Sequence, residues 1–479
     1  MSLITSEVLE EFINEGHFNI DNPGPLHAPI RDLKINRDDK LNIVLTTISS
    51  SDAKSNYVNP LPGTVRINNE FIELTSHSGS KVRMNGISPF KYDISQDRNG
   101  NFIRTEFSTV SSIEATIRDT NTGKFLIEFI ENFDDGFFLW PDSVETNIVN
   151  STTISIGSGS NEIKIYDKSS SRNFGRKCVH LSIKEYQLYL VCSDEDKKSI
   201  GVKSGYIIYL GVPSYDERNK IRNCLSFVLG RLLIITGYNI CDSEWRTVSF
   251  KYISPYSMNG AAFSLQSLPP APISSNKYQN LIDENIISNF VNSIYEKYDI
   301  YKFEYLSWAY WHAVCAPIHI RAVHFGACIE SLQNSYIENH HEIFKTALVC
   351  KSKWKSIRKS ILKVLANLKL DETENKILED KINLLNQTPQ SILIERFIDN
   401  LGLQFSELEK AAWKNRNYAA HGNEIKDGSE IQLIRELKIL KLIFHRVFIK
   451  IIGGVDYYID YYSIGFPVKL ITESIESDS

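Results

Sequence analysis

Six consecutive residues, Arg416-Asn417-Tyr418-Ala419-Ala420-His421, bring a guanidinium, a carboxamide and an imidazole into one short segment. Trp413, Asn417 and His421 are spaced i, i+4, i+8, so on a helix they share a face, and Gly422 supplies a stop that leaves the imidazole at a helix end. Arg416 precedes His421 by five positions, about 140° around an ideal helix, so the two head groups meet only through the arginine's reach or a loosened last turn. These groups suit attack of a ribose 2'-hydroxyl on the neighbouring phosphate, a reaction that needs no metal. Histidine suits the proton transfers because its ordinary pKa of about 6.5 lies near working pH. The planar, permanently charged fork of Arg416 matches phosphate oxygens that gain charge in the transition state, and Asn417 would orient the phosphate or the histidine.

The bland reading stands beside this one. An Arg-x4-His match is common by chance, and a histidine ahead of a helix-ending glycine often only complements the helix dipole. The reaction also moves two protons, whereas one chain offers one such histidine. A two-fold homodimer or higher even oligomer that apposes two helix ends supplies the second, and the reading requires Arg416 and His421 to share a solvent-reachable groove there.

Two further clusters invite chemistry. His312, Cys315 and His319 would share a helical face, with His324 and Cys328 nearby, but Pro317 breaks that face and alanine and valine interleave with it, so a core with satisfied histidines is expected and no metal or other cofactor. Lys351, Lys355, Lys359 and Lys363 recur at i+4, with Arg358 beside them, opposite a face of Trp354, Ile357, Ile361, Val364 and Leu368. RNA phosphates are one use for Lys351, Lys355, Arg358 and Lys359; the wet side of an amphipathic helix is the commoner one.

The elements that must position these groups divide the chain in two. At 479 residues, 42% hydrophobic and 23% charged, it has enough apolar content for more than one packed core. Residues 1–268 show mostly period-two runs such as Phe71-Ile72-Glu73-Leu74, Lys124–Phe129, Cys178–Ile183 and Gly205–Leu210, which predict a β-rich domain. One helix is embedded there, where Ile221, Cys224, Leu225 and Val228 fall at i, i+3, i+4, i+7. Three prolines mark a linker over 269–276. From 277 to 479 the period becomes 3.6 and predicts an all-α bundle, with helices near Asn280–Glu296, Lys302–Val314, Pro317–Asn334, Lys351–Leu368, Thr373–Leu385, Ser391–Leu401, Ser406–Ala420 and Ser429–Ile452. The fold class is therefore α+β multidomain. A net charge of −5 offers no whole-molecule attraction to nucleic acid, so an RNA site must be local. Seven cysteines without paired short spacings, no basic or apolar leader and no long uninterrupted apolar run lead us to expect a reduced, cytoplasmic protein that does not enter a membrane.

Arg-Asn-x-x-Ala-His-Gly, preceded by Trp413 and the acidic stretch Ser406–Ala412, resembles the catalytic segment of HEPN ribonucleases, and more narrowly the helical domain of ApeA-type abortive-infection proteins of bacteria. Ala327–Leu332 is similar to that family's early helix, in which an acidic residue, here Glu330, packs near the arginine and histidine. Leu384-Leu385-Asn386 ahead of Pro389 fits its middle, and Pro60–Val65 resembles the opening of its N-terminal domain. The resemblance implies an RNA-cleaving effector joined to a β-rich sensor of phage infection, with transfer RNA as a candidate substrate and a phage protein as a candidate trigger. It implies roles for Arg416 and His421 and, less directly, Glu330. The tyrosine that some relatives carry just after the histidine is missing.

Two rival functions remain at this point. One is a non-catalytic helical module that binds RNA or protein while the β-domain recognises a partner. The other is a hydrolase in the N-terminal half, for which no paired-carboxylate or nucleophile motif stands out.

Overall fold

The computed structural model describes residues 18–54, 70–76, 79–96, 100–118, 120–133, 142–156, 163–197, 202–255, 269–277, 283–341, 344, 346–416 and 428–475. An N-terminal antiparallel β-sheet is followed by a C-terminal region of helices. The chain separates into two compact units, Met1–Pro270 with Leu281–Asn292, and Ala271–Asn280 with Ser293–Ser479.

In the first unit, thirteen described strands form one sheet, β1 to β13 in chain order. Its hub is β6 (Phe102–Thr116), which pairs along its length with β5 (Lys81–Gln96) and on its other edge with both β3 (Ile43–Lys54) and β13 (Thr247–Ile253). Alternation drives the packing: Ile43 and Leu45, Ile72 and Leu74, and Val82 and Met84 are all buried in one apolar cluster with Val110 and Ile113. Arg37 stitches the sheet's branches by donating to the carbonyls of Leu41, Thr236 and Ile253 at 2.7–2.9 Å.

The embedded helix α1 (Tyr215–Leu229) starts on a Ser214 cap and buries Ile221, Cys224, Leu225 and Val228, the face its period predicts. Gly230 ends it at φ +70, and a β-carbon there would lie 2.3 Å from the Pro269 carbonyl oxygen, so both backbone angle and space require glycine. Beneath α1, Arg218 donates to Glu128 at 2.7 Å and Tyr209 to the same carboxylate at 3.2 Å, all three buried. The carboxylate is thus held by structural partners.

The proline window is not a plain connector. Ile273–Ser274 form strand β14, which pairs with β15 (Tyr457–Ile459), itself paired with β16 (Val468–Leu470), because Ile273 and Ser274 are fully buried with the second unit. Nor does 277 begin the helical unit cleanly, since the first residues of α2 (Glu284–Glu296) group with the β-rich unit: Asn292 accepts from the Lys184 amide and donates to the Ser182 carbonyl.

The second unit continues with α3 (Phe303–Cys315), α4 (Ile318–Asn339), α5 (Lys351–Leu365), α6 (Glu372–Leu384), α7 (Gln390–Asn400), α8 (Glu407–Asn415) and α9 (Glu430–Ile452). Extended angles at Ala316 and Pro317 separate α3 from α4. Stacked aromatic rings, Phe303 on Phe448 and Tyr310 on Phe444, join α3 to α9. Lys297 donates to the last carbonyls of α9, at Ile451 and Ile452, where a cation complements the helix dipole. Among the described residues, no helix is long and apolar enough to cross a membrane. All seven cysteines are free thiols.

Candidate functional site

The helix that delivers the Arg416 segment is fixed at its start. Ser406 and Glu409 form a reciprocal capping box, and the same Glu409 carboxylate makes an ion pair with Arg446 of α9 and accepts from the Ile475 amide. Glu409 and Arg446 are both fully buried, and Arg446 also donates to the carbonyls of Gln404, Ile471 and Thr472. Burial pushes the Glu409 carboxyl above the usual carboxylate range, while the guanidinium and the backbone donors pull the other way. These bonds set the rotation and height of α8.

At the far end of α8, Arg416 is 8% exposed. Its Nη1 donates to the Trp413 carbonyl at 2.8 Å, its Nη2 donates to Glu330 Oε1 at 2.7 Å, and its guanidinium lies 3.5 Å from the centre of the Trp413 ring. Glu330 and Gly326 are one helical turn apart on α4 and share a face. A β-carbon at Gly326 would sit 2.8 Å from Arg416 Cδ and 3.1 Å from Nε, so the glycine makes the groove in which the arginine stem runs and Glu330 closes its end. The Glu330 side chain remains 38% exposed, at the rim.

Arg416, Glu330 and Trp413 are therefore brought together. Asn417, His421 and Gly422 lie outside the described residues, as does the Pro60–Val65 stretch. Arg416 departs from the open, solvent-facing group expected of a free phosphate clamp, because a tryptophan ring covers one face and a carboxylate occupies its outer edge. Of the basic stripe, Lys351, Lys355 and Lys359 are exposed, whereas Arg358 is half-buried and donates to Asn383 Oδ1 at 2.6 Å, an engagement within its own hairpin.

The histidine and cysteine cluster is core only in part: Cys328 is fully buried and Cys315 half-buried. His319 is exposed, His312 and His324 are half-buried, and His312 bonds the Trp308 carbonyl through Nδ1 at 2.8 Å. The break at Ala316-Pro317 puts His312 and Cys315 on one helix and His319, His324 and Cys328 on the next. Among the described residues no group of three histidine, cysteine, aspartate or glutamate side chains converges as a metal site. The core histidine is instead His445, whose Nε2 lies 3.0 Å from the Tyr310 hydroxyl. Burial, reinforced by Lys441, holds its imidazole well below the ordinary range, and burial raises the Tyr310 phenol, so both partners stay neutral.

Sequence reasoning also missed Lys441. Burial and the positive charge of Arg321 pull its ammonium down to about 8. Its position on an otherwise apolar stretch of α9, between Leu440 and Leu442, was the available signal.

Comparison with family models, with curated proteins and with solved structures gives no match.

Proposed function

We propose that the C-terminal unit is a metal-independent endoribonuclease of the HEPN type, acting in a bacterial anti-phage system of the ApeA kind, with the β-rich unit as sensor. One observation carries the reading. The arginine at the head of the Arg-x4-His segment is held in a built cradle of Trp413, Gly326 and Glu330, with the carboxylate that the resemblance selects as its partner.

In this mechanism a base removes the proton of a ribose 2'-hydroxyl, the oxygen attacks the adjacent phosphorus, and the bond to the 5'-oxygen breaks as an acid protonates it. The products are a 2',3'-cyclic phosphate and a 5'-hydroxyl. His421 serves as general acid or base, and a second copy of the chain supplies the other imidazole. Arg416 stabilises the phosphoryl oxygens, Asn417 positions them, and Glu330 orients Arg416. Transfer RNA is the first substrate class to assay and a phage protein the first trigger.

A second reading is favoured by the 8% exposure of Arg416: a non-catalytic helical module in which the guanidinium is a structural fastener and the protein binds RNA or a protein partner. RNA-end sequencing separates the two. Cells expressing the parent chain and folded Arg416→Ala and His421→Ala variants are compared with and without phage challenge, and purified proteins are assayed on total RNA in a chelator. New cyclic-phosphate ends from the parent alone support the nuclease; equal ends or none from all three leave the binding module.

A further inference from the structure

We infer that the aromatic groove at the start of α3 is a docking site for an arginine-bearing segment of a partner protein. An amphipathic helix turns its large apolar side chains inward, and α3 does so with Leu306, Tyr310, Trp311 and Val314, all buried. Its outer face nevertheless carries Tyr305 and Trp308, 59% and 53% exposed, with His312 one turn further on. Spacing of i, i+3 and i+7 sets the three rings in a ladder. Tyr305 lies 6.0 Å from Trp308 at an interplanar angle of 25°, and His312 lies 4.0 Å from Trp308 at 38°. His312 Nδ1 also donates to the Trp308 carbonyl, so the indole is braced by a fastened neighbour. Beside the ladder, Tyr298 and Phe303 are buried and pack edge to face at 5.4 Å. These two rings, Tyr305, Trp308 and the side chains of Asp299, Lys302 and Glu304 line an open groove of about 590 Å³, within the roughly 300–1,000 Å³ of clefts that take ligands.

Charge identifies the occupant. The charged residues lining the groove are Asp299, Glu304 and Lys302, and the Lys302 ammonium pairs with Glu338 at 2.7 Å. The local balance is therefore acidic, with carboxylates set beside ring faces. That combination holds a guanidinium, through cation–π attraction and charge-assisted hydrogen bonds. This chain uses it on its own arginines: Arg416 lies over Trp413 and bonds Glu330, and Arg218 lies 4.1 Å from the centre of the Tyr238 ring and bonds Glu128. Among the described residues, no arginine of the chain lines the α3 groove. Arginine suits it better than lysine, because a planar and weakly hydrated head stacks on a ring while its edge still meets a carboxylate. RNA fits less well: bases stack on exposed rings, but the phosphates that join them would meet Asp299, Glu304 and Glu338. The inference does not depend on the ribonuclease reading.

The test titrates the full chain with a blocked pentapeptide that has arginine at its centre, at millimolar concentration, and reads binding by saturation-transfer NMR. The parent is expected to bind this peptide, and to bind the same peptide with citrulline, which keeps the shape and loses the charge, at least about tenfold more weakly. Trp308→Ala and Glu304→Lys, both at exposed positions, are each expected to weaken the arginine peptide at least about fivefold with an unchanged circular dichroism spectrum. Glu304→Lys is also expected to take up a glutamate-centred peptide better than the parent does. Equal binding of the citrulline peptide overturns the proposal, as does arginine-peptide binding indifferent to both substitutions, or none at all. So does a short single-stranded RNA that binds the parent, but not Trp308→Ala, where the arginine peptide fails. Because RNA cleavage is not the readout, a protein without nuclease activity that still binds the arginine peptide here would reject the nuclease and keep this site.

Discussion

Gly326 lies directly beneath the stem of Arg416, and the 2.8 Å that a β-carbon would leave to Arg416 Cδ makes the smallest residue of α4 a condition of the arginine's position. Gly326→Ala therefore sets two effects in opposition. Alanine favours a helix interior by about 0.5–1 kcal/mol, while the collision costs about 1–3 kcal/mol if Arg416 stays. The expected net result is a lower melting temperature. In an Arg416→Ala background the sign should invert and Gly326→Ala should stabilise; thermal unfolding of the four variants measures this coupling.

Glu330→Gln keeps the shape of the side chain and removes its charge. With Glu330 38% exposed and Arg416 mostly enclosed, the expected loss is about 1–2 kcal/mol, between a surface pair and a buried one. Under the proposed mechanism RNA cleavage falls further than stability does, because the guanidinium loses its orientation. Denaturant melts alongside single-turnover cleavage test this.

Breaking the Glu409–Arg446 pair from one side should be far more damaging. Glu409→Ala leaves a fully buried guanidinium and is expected to cost about 3–5 kcal/mol, whereas an apolar replacement of both partners should recover much of that. Hydrogen exchange at the Ile475 amide, which donates to Glu409, reports whether the segment after α9 is released in the single variant.

Lys441 predicts a pH dependence. Its ammonium is lowered in the fold, so below about 8 it is charged in both states and the folded state bears the burial penalty. As pH rises from about 8 toward the ordinary lysine value of 10.5, the folded protein loses the proton first and this residue's contribution to stability improves. Lys441→Met should therefore stabilise by about 1–3 kcal/mol at pH 7, and its advantage should shrink through that window. Equal melting temperatures for parent and variant at pH 7 would contradict the assignment.

Much of the helical unit was legible because its period is strong: the expected helix over Lys351–Leu368 is α5 at Lys351–Leu365, and Ser429–Ile452 is α9 at Glu430–Ile452. The β-rich unit was legible in class but not in pairing, since nothing local in Phe102–Thr116 says that this strand serves β3, β5 and β13 together. Ile273–Ser274 looked like linker because the flanking prolines dominate the window, while their burial depends on β15, far along the chain. At the site, the arginine segment and Glu330 could be named from pattern, but the role of Gly326 could not. A helical glycine carries no signal until the side chain that crosses it is known. The bond from Arg358 to Asn383 was illegible for a similar reason, its partner lying on the next helix.

The double duty of Glu409, which closes the cap of α8 and binds the chain again at Ile475, has a consequence for biosynthesis. A growing polypeptide has Arg416 out of the ribosome well before Ile471, Thr472 and Ile475 have emerged. Until they do, Arg446 lacks two of its carbonyl partners and Glu409 lacks an amide, so the α8 segment stays unfastened. The helix that ends in Arg416 would thereby be fixed in place only after those last contacts close.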